Sequence, residues 1–545
     1  MARGKGGTEG SPAALAGLSR VLAGRWWLAA MLVLGASLRV GYVLELRGTP
    51  WFDRLVVDPE YYDQWAQQIA GGDWLGTRAF YMDPLYPYLL GLVYRLGGRD
   101  LLLARLFNVA CSVGAAAATA LLGRRVGGPV VGGLAALGFA VYEPDLFNVG
   151  ELDKTALSML LVATFLLLAS GRRTWERAAA GVVLGLAILT RANLLVFVPL
   201  GALVFARDSR RAALLFLAGV VVALAPVALR NHAVSGEWVL TTTQLGQNFY
   251  TGNNPENPYG AYGVVSFVRA NPHFEEEDFH HVAEDRAGRT LTAGETSWFW
   301  LRAAFSHMAN DPGFALRAFG RKAMLFWNDF EISDSQDQYL LERESRILRL
   351  PLLGFGAVLA LAALGVVAAF RSSAVVRRLT AFVLVYWLTL VAFFLFARYR
   401  IQIVPALLPL AGLGVVEAAR RQRAGEPKRL ASALAIVGGA AWLSFHTVGL
   451  FTRDHPNVVE MRLRHYASVY LDAGQPERAM VALQEAIPHC THGCPWALAD
   501  LFALYRDHGR RAEGVRYFER FVREHPEQGD ASEYLATLRN ASDAR

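Results

Sequence analysis

Cysteine is scarce, three in 545 residues, too few for a disulfide framework to hold the fold. Charge is scarce as well. Asp, Glu, Lys and Arg make up 19% of the chain against 54% hydrophobic residues, and the mean hydropathy is +0.27. Soluble globular domains carry more charge than this, so a chain that crosses a membrane several times is the first reading. There is no P-loop, no Asp-x-Asp motif of the nucleotide-sugar kind, and no GxGxxG opening a helix in a polar segment. Their absence argues against a soluble nucleotide-dependent enzyme. The net charge is +7, yet the basic residues gather between apolar runs and form no stripe for a nucleic acid. The basic, small-residue-rich start has no convincing cleavage site and reads as a cytoplasmic tail (1–24) before an uncleaved anchor.

What is abundant is apolar sequence in lengths near the roughly 20 residues a span needs. Segments near 26–46, 101–122, 129–147, 151–170, 177–190, 192–206, 211–229, 350–370, 379–397, 400–418 and 430–451 predict about eleven crossings. With the N-terminus inside, Arg124–Arg125, Arg172–Arg173–Arg177, Arg207–Arg210–Arg211, Arg371–Arg377–Arg378 and Arg420–Arg421–Arg423 fall at every second junction. That is the positive-inside pattern. The reading is an all-α polytopic membrane domain over 25–452, with outward loops at 47–100 and 231–348.

The first outward loop is rich in acids and aromatics. Near Asp58 the spacing Tyr62, Ala66, Ile69 predicts a short amphipathic helix fit to lie on a membrane surface. The second long loop holds the turn-forming LGQNFYTGNNPENPYGAYG, the acidic run Glu275–Glu276–Glu277–Asp278, and aromatics at helical spacing. Beyond 453 the chain changes character. Tyr470, Gly474 and Ala479 recur as Tyr505, Gly509 and Gly514, a period of about 35 residues. This resembles tetratricopeptide repeats, an α-solenoid that takes protein partners more often than it performs chemistry. Cys490 and Cys494, in HCTHGC, are expected to form a local disulfide outside the cytoplasm. No metal site is assigned to that weak motif.

Ionisable groups at span ends are functional hypotheses by default. Arg39, Arg105, Arg191, Arg398 and Arg400 lie on the outward side, where the positive-inside rule disfavours them, and Glu143, Asp145, Glu151, Asp153 and Lys154 crowd one outward turn. Guanidinium forks match phosphate oxygens, so an anionic ligand at the outer leaflet would account for the set. The other reading is that each Arg snorkels or pairs with a neighbouring acid.

Three stretches carry a family resemblance: Asp58 with Tyr62 and Ala66, followed by DPLYPYLLGLVYRLGG; GLAILTRANLLVFVP; and FARYRIQIVPALLPLAGLG. Together with the order of spans they resemble the membrane-embedded GT-C glycosyltransferases, in particular the family-39-like group of protein O-mannosyltransferases and aminoarabinose transferases. The resemblance implies transfer of a sugar from a polyprenyl-phosphate donor to an acceptor on the outer face. It implies Asp58 as catalytic base, accompanied by Glu60, which Pro59 displaces from the position directly after the Asp. Lys154, Arg191, Arg398 and Arg400 would hold the donor phosphate. Arg39, Tyr62, Asp83, Arg105, Glu143, Glu151 and Asp153 would line the cavity. No cofactor is implied with certainty, although a divalent metal is compatible. The expected partners are the lipid donor, an acceptor of unstated kind, the bilayer and a protein on the repeat tail. A lipid-linked sugar flippase and a non-catalytic envelope scaffold are the rival readings.

Overall fold

The computed structural model describes residues 19–263, 265–269, 271–425, 427–446, 456–489 and 495–540. Among them the fold is helical, and the only β pairings are two isolated bridges, Tyr142 with Leu353 and Ala261 with Leu395. Among the described residues five helices are long and apolar enough to cross a membrane: Arg25–Leu46, Leu101–Gly127, Arg210–Ser235, Ala374–Ala392 and Ala397–Arg423. Four shorter apolar helices accompany them, Pro129–Ala140, Thr155–Ala169, Ala192–Ala206 and Phe355–Ala369.

Where an expected span is cut short, a local cause is visible. The stretch expected over 129–147 leaves helical geometry after Ala140. There Leu353 N–H donates to the Val141 carbonyl at 2.8 Å and Glu143 N–H to the Leu353 carbonyl at 3.1 Å. Backbone groups taken by another segment cannot also close helical turns. The chain re-enters a short helix at Glu143–Asn148 and starts its next apolar helix only at Thr155. Other helix ends are capped by side chains. Asp100 accepts from Leu102 N–H at 2.7 Å, and Ser209 from Ala212 N–H at 3.0 Å, which satisfies donors left free in the first turn.

Small residues bring spans together. A Cβ added at Gly181 would lie 2.0 Å from the Phe216 carbonyl, and one at Gly219 2.4 Å from the Ala178 carbonyl, so the helices Thr174–Ile188 and Arg210–Ser235 cross backbone to backbone. Gly365 and Gly414 do the same for Phe355–Ala369 and Val404–Arg423, with carbonyls 2.0 and 2.1 Å from the Cβ positions. Between apolar helices in lipid, such contact replaces the hydrophobic drive available in water.

The helix expected near Asp58 forms over Asp58–Ala70, but its apolar face does not lie on a membrane. Tyr62, Ala66 and Ile69 are fully buried against the helix Leu85–Gly97. Tyr94 Oη donates to Asp63 at 2.6 Å, and the Tyr62 and Tyr86 rings sit 5.6 Å apart. The loop is a packed layer rather than a surface float.

The chain divides into two compact units. One comprises the described residues of Met1–Leu46, Leu55–Gln338 and Ser345–His446; the other comprises those of Arg47–Arg54, Tyr339–Glu344 and Thr447–Arg545. The second unit therefore takes in short pieces of the two long loops besides the tail. Its helices Pro456–Asp472, Pro476–Ala486, Pro495–Asp507 and Arg511–Glu524 form two pairs. Gly474 and Gly509, at φ +69° and +68°, make the turns. The pieces from the loops pack on the first pair. Buried Trp51 lies 5.4 Å from the His465 ring, Tyr466 Oη donates to Glu344 at 2.5 Å, and Arg343 makes two bonds to Glu485 at 2.7 and 2.8 Å. Cys490 and Cys494 lie outside the described residues.

Gly365→Val is expected to destabilise the membrane unit by about 1–3 kcal/mol, because the added methyls force two backbones apart. Gly438→Val, where nothing lies within 4 Å of the Cβ position, should be close to neutral. Thermal unfolding of the two purified variants against wild type tests the difference.

Candidate functional site: an arginine shared by three carboxylates

Three elements far apart in sequence supply the site. Asp58 opens its helix with Pro59 directly behind it, a first-turn position where proline has no N–H to leave unsatisfied. The residue before it is strained. Val57 has φ +57° and ψ −124° and is the one non-glycine residue with positive φ among the described residues. A β-branched side chain in that region costs on the order of 1–3 kcal/mol, and strain of this kind concentrates at functional sites. Asp153 is aimed by the helix that follows it. Thr155 N–H and Oγ1 donate to its two oxygens at 2.8 and 2.7 Å. Arg398 lies on the short turn Ala397–Arg400.

These groups meet. Arg398 Nη2 donates to Asp58 Oδ2 at 2.5 Å, Nη1 donates to Asp153 Oδ2 at 3.1 Å, and Asp334 forms a third ion pair with the same guanidinium. Arg398, Asp58 and Asp153 are buried, at 6%, 8% and 0% exposure. Three carboxylates against one cation would leave a surplus of negative charge. Part of the compensation comes from buried Arg191, whose Nη2 donates to the Arg398 carbonyl at 3.2 Å and to Thr155 Oγ1 at 3.3 Å, with its guanidinium 4.8 Å from the Tyr399 ring centre. A raised proton affinity of two neighbouring acids adds to it. Burial pushes Asp334 up to about 7, aided by the charges of Asp58 and Asp153 and opposed by Arg398. Burial likewise lifts Glu275 to about 7, with Asp58 and Asp334 adding to it.

Lys154 is paired with buried Asp83 and lies 5.9 Å from the Tyr62 ring centre. Glu151 is buried beside Asp334 and Arg398 at a small cavity, with Oε1 free of any hydrogen-bond partner among the described residues. Asp58, Tyr62, Asp83, Glu151, Asp153, Lys154, Arg191 and Arg398 thus occupy one neighbourhood.

Other residues expected at the site have different work. Arg400 does not present a free fork for a phosphate. Its Nη atoms donate to the carbonyls of Phe326, Asn328, Asp329 and Phe330 and, at 2.7 Å, to Glu331, while its guanidinium stacks 4.3 Å from the Phe355 ring centre. It shapes the loop that carries Asp334. Arg39 is bound to Asp145 and Ser112 at 2.5 and 2.7 Å and to the carbonyls of Gly35, Phe139 and Ala140, so it ties spans together. Arg105 serves the carbonyls of Gly150 and Leu101 at 2.7 and 3.3 Å. Glu60 accepts from Gln64 at 3.2 Å near the surface, and Glu143 accepts from Gln338 at 2.9 Å. Among the described residues no group of three or more His, Cys, Asp or Glu side chains is arranged to hold a metal ion. Asp334 and Glu275 were missed as site residues. The signal for Asp334 was there, four acids within the ten residues 328–337 just ahead of a long apolar run.

The fold and site together define a polytopic helical membrane protein with an acid–arginine cluster at one end of its spans. Residues 82–230 match the family model for dolichyl-phosphate-mannose-protein mannosyltransferases. That stretch contains Asp83, Asp153, Lys154 and Arg191 and leaves Asp58, Asp334 and Arg398 outside it. The similarity to the GT-C membrane glycosyltransferases stands on this match. No curated protein matches the chain. Among solved structures, the oligosaccharyltransferase AglB of Archaeoglobus fulgidus, in complex with an inhibitory peptide and a dolichol-phosphate, is 17% identical, with a TM-score of 0.41 over 81% of this chain and 58% of AglB. ArnT of Cupriavidus metallidurans, bound to undecaprenyl phosphate, is 14% identical, with a TM-score of 0.41 over 94% of this chain and 81% of ArnT. The chain thus spans less than two thirds of the archaeal enzyme's length.

Glu275 and Asp334 should give the protein an unusual pH dependence. An acid whose folded value is raised, here from 4.5 to about 7 for Glu275, binds its proton more tightly in the folded state. Stability therefore falls as pH rises from about 4.5 to about 7 and levels off above. Thermal unfolding from pH 4.5 to 8 should register that decline. The Glu275→Gln/Asp334→Asn double variant should flatten it.

Proposed function

We propose that this chain transfers a sugar from a polyprenyl-phosphate donor to a hydroxyl or amine of an acceptor on the outer face of a bacterial inner membrane, with the N-terminus cytoplasmic. The observation that carries the reading is the meeting of Asp58 and Arg398, 340 positions apart, beside Arg191 and Asp153 in a buried, strained corner. A base and guanidinium groups side by side are what displacement at a phosphate-linked sugar requires.

In the proposed reaction Asp58 takes the proton of the attacking acceptor as its oxygen or nitrogen bonds to C1 of the sugar. The bond from C1 to the phosphate oxygen breaks, its electron pair leaves with the phosphate, and adjacent positive charge stabilises that departure. One base and no covalent intermediate make the displacement inverting. Arg191 is the group best suited to grip the donor phosphate. Its contacts, at 3.2 and 3.3 Å, are long, and its Nε has no partner among the described residues. Arg398 orients Asp58 and joins the phosphate when the donor displaces a carboxylate; Lys154, freed from Asp83, is the third cation. The repeat-like tail would engage a protein partner.

Asp58→Asn keeps the shape and hydrogen bonds to Arg398 while removing the base. Sugar release from a polyprenyl-phosphate donor in membranes should fall by roughly 100- to 10,000-fold, with the protein still folded and inserted. Turnover unchanged by Asp58→Asn would sink the reading, as would full donor binding and turnover in Arg191→Gln.

A further inference from the structure

A second polar cavity, about 490 Å³ in volume, lies away from the acid–arginine cluster and is lined by Arg172, Arg177, Arg211 and Arg378 together with Thr174 and Ser209. The helix Thr155–Ala169 begins beside Asp153 and ends at Ser170 on this cavity's wall, so the two sites lie at opposite ends of one helix. The cavity forms where three inter-helix turns come together. The helices Thr174–Ile188, Arg210–Ser235 and Ala374–Ala392 all start there, each contributing the partial positive charge of its N-terminus.

The charge is not balanced from within. Arg177, 5% exposed, is bound to Asp208 at 2.8 Å, and Glu176 is taken by Arg125 at 2.9 Å. Among the described residues the side chains of Arg172, Arg211 and Arg378 have no carboxylate partner. Arg211 even sits in the first turn of its helix, where a cation opposes the helix dipole. Three uncompensated guanidinium groups and three helix N-termini around one pocket call for an anion. The pocket's size suits a head group. Exposed apolar side chains stand nearby, Trp175 at 57%, Phe370 at 41% and Leu214 at 66%, as a lipid-facing flank would have them.

We propose that this cavity binds the phosphate of an anionic phospholipid from the leaflet opposite Asp58, its acyl chains lying along the exposed apolar residues. Basic pockets between spans recognise such head groups through phosphate oxygens. The full-length protein in zwitterionic detergent is titrated with cardiolipin, with phosphatidylcholine and with inorganic phosphate alone, and bound species are counted by native mass spectrometry. Cardiolipin should be retained over phosphatidylcholine, and the Arg172→Gln/Arg211→Gln/Arg378→Gln variant should bind it on the order of 100-fold more weakly. Arg207→Gln/Arg210→Gln/Arg371→Gln, the same charge change outside the cavity lining, should bind as wild type. Equal losses in both triple variants would reduce the effect to diffuse surface charge and overturn the site. Inorganic phosphate retained as tightly as cardiolipin would place the anion in solution and overturn the lipid. Should the first triple variant fail to fold, Arg378→Gln alone replaces it, with a loss of about fivefold expected and no loss counting against the site.

Discussion

The structure turns on one guanidinium group. Arg398 is buried with carboxylates from the first long loop, from the turn before a short apolar helix, and from the loop ahead of the last spans. Removing a charge from water costs several kcal/mol, and only multiple well-aligned partners offset that. The three acids are therefore as dependent on Arg398 as it is on them. Take away the arginine and Asp58, Asp153 and Asp334 repel one another in a poorly solvated corner. Take away any one acid and the cation is still held, which leaves room for one of them to exchange places with a ligand's anion. The raised proton affinities of Asp334 and Glu275 belong to the same balance, since the pocket holds more carboxylates than cations.

Much of this architecture was legible in the chain. Long apolar runs and regularly placed arginines announce a multi-span membrane protein, and the recurrence of Tyr470, Gly474 and Ala479 announces helix pairs. Asp153, Arg191 and Arg398 stood out because charge beside apolar sequence is expensive, and Asp58 through the family resemblance. What sequence conceals is what each expensive group does. Arg400 and Arg39 look as conspicuous as Arg398, yet they spend their donors on backbone carbonyls and local acids. An arginine that staples a loop and one that meets a carboxylate from another loop have the same one-letter signature. Asp334 went unnoticed for the converse reason, as one acid in a polar stretch full of them. Likewise Tyr62, Ala66 and Ile69 declare an amphipathic helix without saying whether protein or lipid covers its apolar face.

The boundary of the tail was also hidden. Arg47–Arg54 and Tyr339–Glu344 read as parts of the outward loops, but Trp51 and Glu344 are built to pack on the first helix pair of the tail unit. Four residues after Arg54 comes Asp58, and five before Tyr339 comes Asp334. Two of the acids on Arg398 therefore follow or precede, by four or five residues, segments that fold with the tail.

The helix Thr155–Ala169 has only 15 residues, about 22 Å at the usual rise, whereas the hydrocarbon of an ordinary bilayer is about 30 Å thick. With Asp153 at one end and Ser170 at the other, the polar ends of this span stand closer together than the two faces of undisturbed lipid. Crossing the hydrocarbon on this helix alone would take a shortening of the surrounding acyl chains by about 8 Å in all. The protein would sit at lowest cost in thin stretches of membrane and would carry a dimple with it elsewhere.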